Sequence, residues 1–276
     1  MSVLLSFGHG FSAQALVPLL DGWRVIGTSR TAGKRKQDGV DMVQFPGTDM
    51  GAYLDDATHL LISAGPDADG DPVLRELRDE IAKRKFEWVG YLSTTGVYGD
   101  HQGGWVDEDT PLHPSTRRGQ WRVAAETAWM EMDLPLHIFR LAGIYGPGRG
   151  PFSKVRAGTA RRIIKEGQVF SRIHVEDIAQ VLAASIARPN AGAVYNLCDD
   201  DPAPPQDVIG YAAELLGVPL PEAVAFEDAD MTPMARSFYA ESKRVRNVRI
   251  KDELGVVLKY PNYRVGLQAL LRDEGG

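Results

Sequence analysis

The chain has 276 residues, and its 31 lysine and arginine side chains against 37 aspartates and glutamates give a formal net charge of −6 at pH 7. Hydrophobic residues make up 43% and charged residues 25%, which excludes a disordered or collagen-like chain and is typical of a globular protein. A mildly acidic balance argues against general nucleic-acid binding, because phosphate contacts need a basic surface. The single cysteine, Cys198, excludes an internal disulfide.

The first residues, Met1 to Gly10, contain no lysine or arginine and only one short apolar run, unlike a secretory leader. No window reaches the roughly 18 to 20 apolar residues of a membrane span. Together with the lone cysteine, these features predict a cytoplasmic protein that does not enter a membrane. Histidine, cysteine and carboxylate residues form no cluster with metal-ligand spacing, so we expect no metal site.

Short apolar runs alternate with helix-like segments through the first two thirds of the chain. The predicted strands are Val3–Phe7, Arg24–Thr28, Met42–Phe45, His59–Ser63, Trp88–Ser93, Leu136–Leu141 and Val194–Leu197. The predicted helices between them are Ala13–Leu20, Val73–Lys85 and Trp121–Met132. This alternation predicts an α/β fold with a Rossmann-like, doubly wound parallel sheet. Pro18 lies inside the first helix, where it removes a hydrogen bond and is expected to kink it.

The alternation of predicted strands and helices ends at about residue 200, where a run of aspartates and prolines predicts a turn-rich break. Helical segments follow at Gln206–Leu216, Lys243–Leu254 and Tyr263–Leu271. We therefore predict a dinucleotide-binding Rossmann domain from residues 1–150 plus about 168–200. A smaller, mostly helical substrate or lid part is expected from residues 151–167 plus 201–276.

A glycine turn follows the first predicted strand and opens the first helix, with the sequence Gly8-His9-Gly10-Phe11-Ser12-Ala13. In this setting Gly8 permits the tight turn, Gly10 lets the backbone approach a pyrophosphate, and the small Ala13 allows close packing of helix on strand. Free N–H groups at the helix start favour phosphate. The motif predicts dinucleotide binding, and the alternative is a purely structural turn.

The end of the second strand bears on which dinucleotide is bound. An acidic residue there would bind the ribose hydroxyl of NAD, whereas an arginine accommodates the extra phosphate of NADP. The chain has Ser29 and Arg30 at this point, with Lys34 and Arg35 close behind. A guanidinium suits phosphate, so NADP is preferred and NAD is less favoured. The alternative is that these are solvated loop cations.

Three hydroxyl residues, Ser93, Thr94 and Thr95, end the fifth strand where open α/β sheets place their ligands. The sequence around them, Ser-Thr-Thr-Gly-Val-Tyr-Gly, is followed by Arg-Leu-Ala-Gly-Ile-Tyr-Gly-Pro-Gly from Arg140 and by His-Val-Glu-Asp-Ile from His174. With the glycine turn, these segments resemble the extended short-chain dehydrogenase/reductase family, the NAD(P)-dependent epimerase/dehydratases. The resemblance covers about residues 3 to 200 in consistent order.

This resemblance implies roles for individual residues. The turn Gly8, Gly10 and Ala13 would hold the pyrophosphate. The segment Ser63-Ala64-Gly65 would run beside the adenosine, and Ala142-Gly143-Ile144 would border the nicotinamide. Thr94 matches the catalytic serine or threonine that binds the reacting carbonyl or hydroxyl. Dimers are common in the family, so a homodimer is an open expectation.

The chain departs from the family at the catalytic pair, a tyrosine followed four residues later by a lysine. Alignment on Glu126 puts Arg118 at the tyrosine position and Arg122 at the lysine position, and no Tyr-x-x-x-Lys occurs between Gly99 and Met130. Arginine stays protonated at neutral pH, so Arg118 cannot transfer a proton. The chain resembles atypical members that lack this tyrosine.

Two interpretations of the arginines remain open. Arg118 and Arg122 share one helix face and could grip a carboxylate or phosphate with Arg117, or they could pair with the acidic residues at positions 107–109. Tyr98 and Tyr145 are the tyrosines that could replace the missing acid, although tyrosines in such positions more often pack against neighbouring side chains or line the substrate site. His174 is expected to hydrogen-bond the start of its helix, and Cys198 to be a buried small hydrophobe.

Two functions follow from these residues. The first is an NADP-dependent oxidoreductase or epimerase-like enzyme acting on a polar, anionic small molecule, with Thr94 orienting the reacting oxygen and an arginine holding charge. The second is a non-catalytic NADP-binding redox sensor or regulatory protein, which the missing catalytic pair favours. Retention of Thr94 and of the glycine segments favours the first.

Overall fold

The computed structural model describes residues 1–31 and 39–275. Its strands, numbered in chain order, are β1 (Val3–Phe7), β2 (Arg24–Ser29), β3 (Val40–Gln44), β4 (His59–Ile62), β5 (Trp88–Thr94), β6 (Trp105–Val106), β7 (Leu136–Leu141), β8 (Gly143–Tyr145), β9 (Arg162–Ile164), β10 (Arg172–His174), β11 (Val194–Leu197), β12 (Ala223–Ala225) and β13 (Arg244–Val245). The α-helices are α1 (Phe11–Leu16), α2 (Gly51–Asp56), α3 (Pro72–Ala82), α4 (Arg117–Met130), α5 (Phe152–Arg156), α6 (Val175–Ala187), α7 (Pro205–Leu215), α8 (Pro233–Phe238), α9 (Val248–Asp252) and α10 (Tyr263–Gly275).

The central sheet has seven parallel strands in the order β11-β7-β5-β4-β1-β2-β3. The chain therefore starts in the middle, winds outward to β3, and returns to wind outward on the other side through β4, β5, β7 and β11. This is the doubly wound Rossmann-like fold that the alternating pattern predicts. The carboxyl ends of all seven strands lie at one edge, and the switch in strand order between β1 and β4 marks the point at which folds of this kind form a ligand crevice.

Helices cover both faces of the sheet. One face packs on α2, α3 and α4, through side chains such as Leu54, Leu77 and Trp129. The opposite face packs on α1, α6 and α9, through Leu16, Leu182 and Ile250. The strands β4, β5 and β7 are buried almost throughout, which is why they read as continuous apolar runs rather than as alternating patterns.

The first helix is shorter than predicted. The α-helix ends at Leu16 and gives way to a 3-10 turn over Val17–Leu19 that holds Pro18. A proline has no N–H to donate into an α-helical turn, so Pro18 ends the α-helix rather than kinking a longer one. The fourth helix begins earlier than predicted, at Arg117 after the cap residue Thr116, whose hydroxyl accepts from the N–H of Gly119.

A second core lies beside the sheet. It joins α5, α7 and α10 through residues such as Phe152, Ala212 and Leu267, next to the small β9–β12 pair. The predicted helix Lys243–Leu254 is wrong, since the chain there forms strand β13 against β6 and then the short helix α9. Ile250 and Leu254 of this segment pack on the central sheet. The two-part division stays a prediction.

Candidate functional site

The glycine turn joins β1 to α1 at the crevice. Gly8 has φ +75°, and a Cβ placed on it would lie 2.7 Å from the backbone nitrogen of Ala64. Its N–H donates to Thr28 Oγ1 at 3.0 Å, and the Ser63 hydroxyl donates to the carbonyl of Gly8 at 2.5 Å. The turn is therefore fixed between β2 and the end of β4, and no larger residue fits at Gly8.

Gly10 is different, because nothing in the fold requires a glycine there. Its φ is −109°, and the only heavy atom near an added Cβ would be the Gly8 carbonyl oxygen at 3.6 Å. Beyond it, Phe11 is half-buried, and Ser12 and Ala13 are buried as the helix begins. Gly10 is exposed on the crevice side, so an added methyl group would fill space that the fold leaves open.

Three more strand ends carry a glycine of this kind. Gly65, Gly96 and Gly143 follow β4, β5 and β7, and none has a φ in the left-handed range. An added Cβ would come no closer than 3.2 Å, to the guanidinium of Arg122, at Gly65, and no closer than 3.4 Å at the other two. We call Gly10, Gly65, Gly96 and Gly143 the strand-end glycines. Together they leave four positions along this edge of the sheet without a side chain.

The end of β2 is only partly described. The Ser29 hydroxyl donates to the carbonyl of Thr31 at 3.0 Å, and Arg30 is exposed. Lys34 and Arg35 lie outside the described residues. The predicted roles of Ser29 and Arg30 toward a ribose phosphate stay predictions.

Thr94 is the last residue of β5 and is half-buried at the crevice. Its Oγ1 accepts a hydrogen bond from the N–H of Gly96 at 3.1 Å, which leaves the hydroxyl proton free to donate. The neighbouring Ser93 is buried, and its hydroxyl donates to Glu126 on α4. Of the two hydroxyl residues that end β5, Thr94 is thus the one that remains open to a ligand.

Behind Thr94 lies a buried polar network. Glu126 accepts from Arg140 at 2.9 Å and 3.3 Å, and Arg140 also donates to the phenol oxygen of Tyr98 at 3.0 Å. The Tyr98 hydroxyl donates to the side chain of Asn196 at 2.7 Å, and burial raises the pKa of Tyr98 to about 12. The geometry brings Tyr98 into this network rather than into the crevice.

The two aligned arginines have different surroundings. Arg122 is half-buried and donates to the Tyr91 hydroxyl at 3.1 Å and to the Leu92 carbonyl at 2.7 Å, while its other terminal nitrogen faces Gly65. Arg118 is exposed in the first turn of α4. Neither forms an ion pair among the described residues, so the alternative of pairing with positions 107–109 is wrong for both.

The acids at those positions have other partners. Asp107 accepts from Thr110 within its own turn, Glu108 accepts from the N–H of Asn196, and Asp109 pairs with Arg249 at 3.0 Å. Of the two aligned arginines, Arg122 is therefore the one that lies against the crevice with a fixed geometry. It occupies the position at which the resemblance places a lysine.

The segment after β7 forms the next wall. Ala142 is buried, Gly143 is exposed and Ile144 is half-buried, and Gly143–Tyr145 pairs with Arg172–His174 of β10. Tyr145 is buried with its hydroxyl against Gly266 of α10 and without a hydrogen-bond partner. Burial raises the pKa of Tyr145 far above its usual range, and the hydroxyl lies against α10, which disfavours a role as the missing acid.

Expectations for two other residues are confirmed. The Nδ1 of His174 accepts from the N–H of Glu176 at the start of α6, and Cys198 is fully buried with its thiol toward the carbonyl of Val245. Lys243 is buried and donates to the carbonyl of Gly99 and to Glu241, whereas Arg246 is exposed.

Two residues near the crevice are not predicted by the sequence patterns. His9 is buried, lies against Gly27 and has no hydrogen-bond partner for either ring nitrogen, and burial lowers its pKa. Arg172 of β10 lies beside Gly143 and pairs with it in register. The available signal was their position: His9 lies inside the glycine turn, and Arg172 stands two residues before His174.

Comparison with known proteins identifies the class. No family model matches the chain. It is 30% identical over 267 residues to Protein YeeZ from Escherichia coli K12, covering 87% of this chain and 89% of YeeZ. A conserved protein of unknown function from Silicibacter pomeroyi DSS has a solved structure with 64% identity and a TM-score of 0.95, covering 99% of both chains. MoeE5, solved with UDP-glucuronic acid and NAD, matches with a TM-score of 0.79 at 20% identity, covering 99% of this chain and all of that one.

The fold, the glycine turn and these relatives define a Rossmann-fold protein of the epimerase/dehydratase type. The chain belongs to the extended short-chain dehydrogenase/reductase family, the NAD(P)-dependent epimerase/dehydratases, and YeeZ is a relative within it. Among the residues that the structure describes, no helix combines the length and the apolar character needed to cross a membrane.

Proposed function

We propose that the protein binds a nicotinamide dinucleotide, preferentially NADP, along the carboxyl edge of the sheet and transfers hydride between it and a small polar substrate. The observation that carries the proposal is the row of strand-end glycines. The backbone conformation needs a glycine at none of them. At Gly10 and Gly96 an added Cβ would meet nothing closer than 3.5 Å, although Arg122 at 3.2 Å crowds Gly65 and Ser171 at 3.4 Å borders Gly143. A ligand that approaches the backbone closely supplies the reason for their absent side chains.

The crevice suits the parts of the cofactor in order. Gly8 and Gly10 would hold the pyrophosphate, with Phe11, Ser12 and Ala13 forming the helix start beneath it. The segment Ser63–Gly65 lies beside the turn and would follow the adenosine side. Residues 142–144 would border the nicotinamide. The structure of MoeE5, a protein of the same fold, was solved with NAD, which supports a nicotinamide cofactor here.

The preference for NADP rests on Arg30 at the end of β2. Its guanidinium is exposed, and the neighbouring Ser29 places a hydroxyl in the same turn. A planar guanidinium binds a phosphate through two parallel hydrogen bonds, whereas a ribose diol of NAD gives it no charge to pair with.

The chemistry would centre on Thr94. The bound nicotinamide supplies or accepts the hydride. Thr94, whose oxygen accepts from Gly96, would donate its free hydroxyl proton in a hydrogen bond to the reacting oxygen of the substrate. That bond stabilises the negative charge that develops on the oxygen during hydride transfer. Arg122, fixed by Tyr91 and Leu92, would hold positive charge beside Gly65, and the exposed Arg118 would stand at the mouth.

Proton transfer is where this site would differ from relatives with a catalytic tyrosine. The hydroxyl of Tyr98 is committed to Asn196 and Arg140, so a role as proton donor requires it to exchange a partner with the substrate. We assign the proton to solvent at the open crevice. One observation favours the second candidate, an NADP-binding redox sensor without turnover: among the described residues, no free tyrosine hydroxyl lies beside Thr94.

A titration with NADPH, followed by its absorbance decay with a panel of carbonyl compounds and sugar nucleotides, separates the candidates. The proposal predicts saturable binding and turnover of at least one compound, with a loss of kcat of about tenfold or more in Thr94→Ala. Thr127→Ala, an exposed threonine on α4, is the matched control and should keep full activity. Tight binding without any turnover would establish the sensor, and absence of binding would contradict both.

A further inference from the structure

Arg172 is the arginine that the structure places at the far end of the crevice. It lies on β10 in register with Gly143, the strand-end glycine that follows β7. A Cβ placed on Gly143 would lie 3.8 Å from Cγ of Arg172, so the arginine stem forms the wall beside this glycine. The side chain is half-buried at the junction of the sheet with the second core.

The charge of Arg172 is not neutralised within the described parts of the chain. Its Nη1 donates to two backbone carbonyls, those of Phe170 at 2.8 Å and Ala203 at 3.0 Å, and no carboxylate among these residues lies within ion-pair distance. Arg140 provides the contrast, since Glu126 pairs with it through two hydrogen bonds. Burial lowers the pKa of Arg172, but a guanidinium remains protonated at neutral pH.

The acids nearest to Arg172 do not supply the missing charge. Asp199 forms no ion pair with Arg172 among the described residues, and burial raises the pKa of its carboxyl to about 8, which disfavours its charged form. Asp201 pairs instead with Arg264 at 3.5 Å. The other titratable neighbours are Tyr145, Tyr239 and Tyr263, and burial raises the pKa of all three phenols, which keeps them neutral. A positive charge without a partner therefore lies at the crevice wall.

We infer that Arg172 binds the anionic group of the substrate, a carboxylate or a phosphate. A half-buried guanidinium whose charge has no carboxylate partner can pair with an incoming anion, and it recognises both groups through two parallel hydrogen bonds. This inference rests on the proposed function, because it places the anion in the same crevice as Thr94. It also moves the anion-binding role from Arg118, which is exposed, to a residue in the crevice wall.

Strand spacing sets the size of such a substrate. Thr94 pairs with Leu141, and Gly143 stands two residues further along the chain and beside Arg172. With about 3.3 Å per residue along a strand and about 4.8 Å between strands, the backbones of Thr94 and Arg172 are roughly 12 Å apart. A molecule whose reacting oxygen and anionic group are separated by a few bonds can reach both side chains.

The test measures anion binding directly. Malonate and inorganic phosphate are titrated by calorimetry at constant ionic strength, with and without saturating NADP⁺. Arg172→Gln removes the charge but keeps an N–H donor for the carbonyls of Phe170 and Ala203. Arg172→Lys keeps the charge without the planar fork. Arg161→Gln, an exposed arginine of the same half of the chain, is the matched control.

The wild-type protein should bind at least one of the two anions saturably, and Arg172→Gln should weaken this binding by about tenfold or more. Arg172→Lys should retain part of it, and Arg161→Gln all of it. Equal binding by Arg172→Gln and wild type, equal losses in Arg172→Gln and Arg161→Gln, or no saturable binding by the wild type would overturn the inference. The titrations without NADP⁺ measure anion binding at Arg172 even if the cofactor does not bind. Unchanged NADP⁺ affinity in Arg172→Gln would separate the anion site from the cofactor site.

Discussion

Gly8 and Gly10 stand two residues apart and are glycines for different physical reasons. The backbone at Gly8 is left-handed, and its neighbour Ala64 leaves no room for a side chain. Gly10 has an ordinary conformation and open space beside it. The sequence motif predicts both roles, but only the coordinates separate the glycine that the fold needs from the one that a ligand would need.

Arg30 carries the prediction on cofactor choice. Replacing it with alanine removes the guanidinium proposed to bind the extra phosphate of NADP, so Arg30→Ala should weaken NADPH binding by about tenfold or more and leave NADH binding nearly unchanged. Fluorescence titration with each dinucleotide measures the two affinities. Arg78→Ala, an exposed arginine of α3, is the control and should change neither. Equal losses for NADPH and NADH would contradict the assignment.

Asp199 carries the prediction on pH. Its pKa is about 8 in the folded protein, against 3.8 for an ordinary aspartate, so the folded state holds a proton that the unfolded chain has lost. The stabilising contribution of Asp199 to the free energy of unfolding is therefore complete below about pH 4, where the carboxyl is protonated in both the folded and the unfolded state. This contribution falls as the pH rises toward 8, by at most about 1.4 kcal/mol per pH unit.

The variant Asp199→Asn cannot ionise and keeps an oxygen to accept from the N–H of Asp201. Urea unfolding between pH 5 and pH 8 should show wild-type stability falling relative to this variant as the pH rises. A constant difference between the two proteins over that range would mean that Asp199 is already ionised in the folded state.

At the scale of elements, the buried pair of Glu126 and Arg140 fastens α4 to β7. Arg140 and Glu126 side chains are 6% and 0% exposed, and the network extends to Ser93 on β5 and to Tyr98 after it. These contacts set the position of the strand end that carries Thr94. The same network explains why Tyr98, only four residues after Thr94 in the sequence, has its hydroxyl inside the protein.

Removing the charge of Glu126 should therefore be costly. Glu126→Gln leaves Arg140 buried without an anion, and we expect a loss of about 3 kcal/mol in the free energy of unfolding. Glu131→Gln breaks the exposed pair with Arg78, more than 40% exposed on each side, and should cost less than about 1 kcal/mol. Urea denaturation measures both, and similar losses in the two variants would contradict the structural role of the buried pair.

The elements also mark what the sequence can predict. The strands Val3–Phe7, Leu136–Leu141 and Val194–Leu197 match the structure to the residue, because buried parallel strands are short apolar runs with clear ends. The segment from Lys243 is predicted as one helix, but it begins with strand β13. Its pairing with β6, a two-residue strand more than a hundred residues earlier, is a tertiary contact that no local periodicity contains.

At the scale of the whole molecule, the parallel sheet brings distant segments to one edge. The glycine turn, Thr94 and Gly143 end three different strands, and the strand order alone predicts that they meet. The burial of Tyr98 depends on the polar network behind β5, and that of Tyr145 on how the second core packs against the sheet. Residue types and spacing carry no information on that packing, which is why the catalytic part of the site was less predictable than the cofactor part.

The absence of the family's Tyr-x-x-x-Lys pair gives the site a different balance of charge. Arg122 lies against the crevice at the lysine position, and no phenol replaces the tyrosine there among the described residues. In the proposed site, the Thr94 hydroxyl would lie at the centre of the crevice, with arginines at two of its walls. The cytoplasmic location and a homodimer stay predictions.

The central claim is that the strand-end glycines make room for a nicotinamide dinucleotide, and NADPH titration of Gly10→Ala tests it most directly. We predict that this variant unfolds within about 1 kcal/mol of the wild type, since its Cβ meets only the Gly8 carbonyl oxygen at 3.6 Å. Its NADPH affinity should nevertheless fall by about tenfold or more. Gly148→Ala, a loop glycine with φ +68° and no atom near its added Cβ, should lose some stability but bind as the wild type does. Unchanged NADPH binding by Gly10→Ala, or none by the wild type, would contradict the claim.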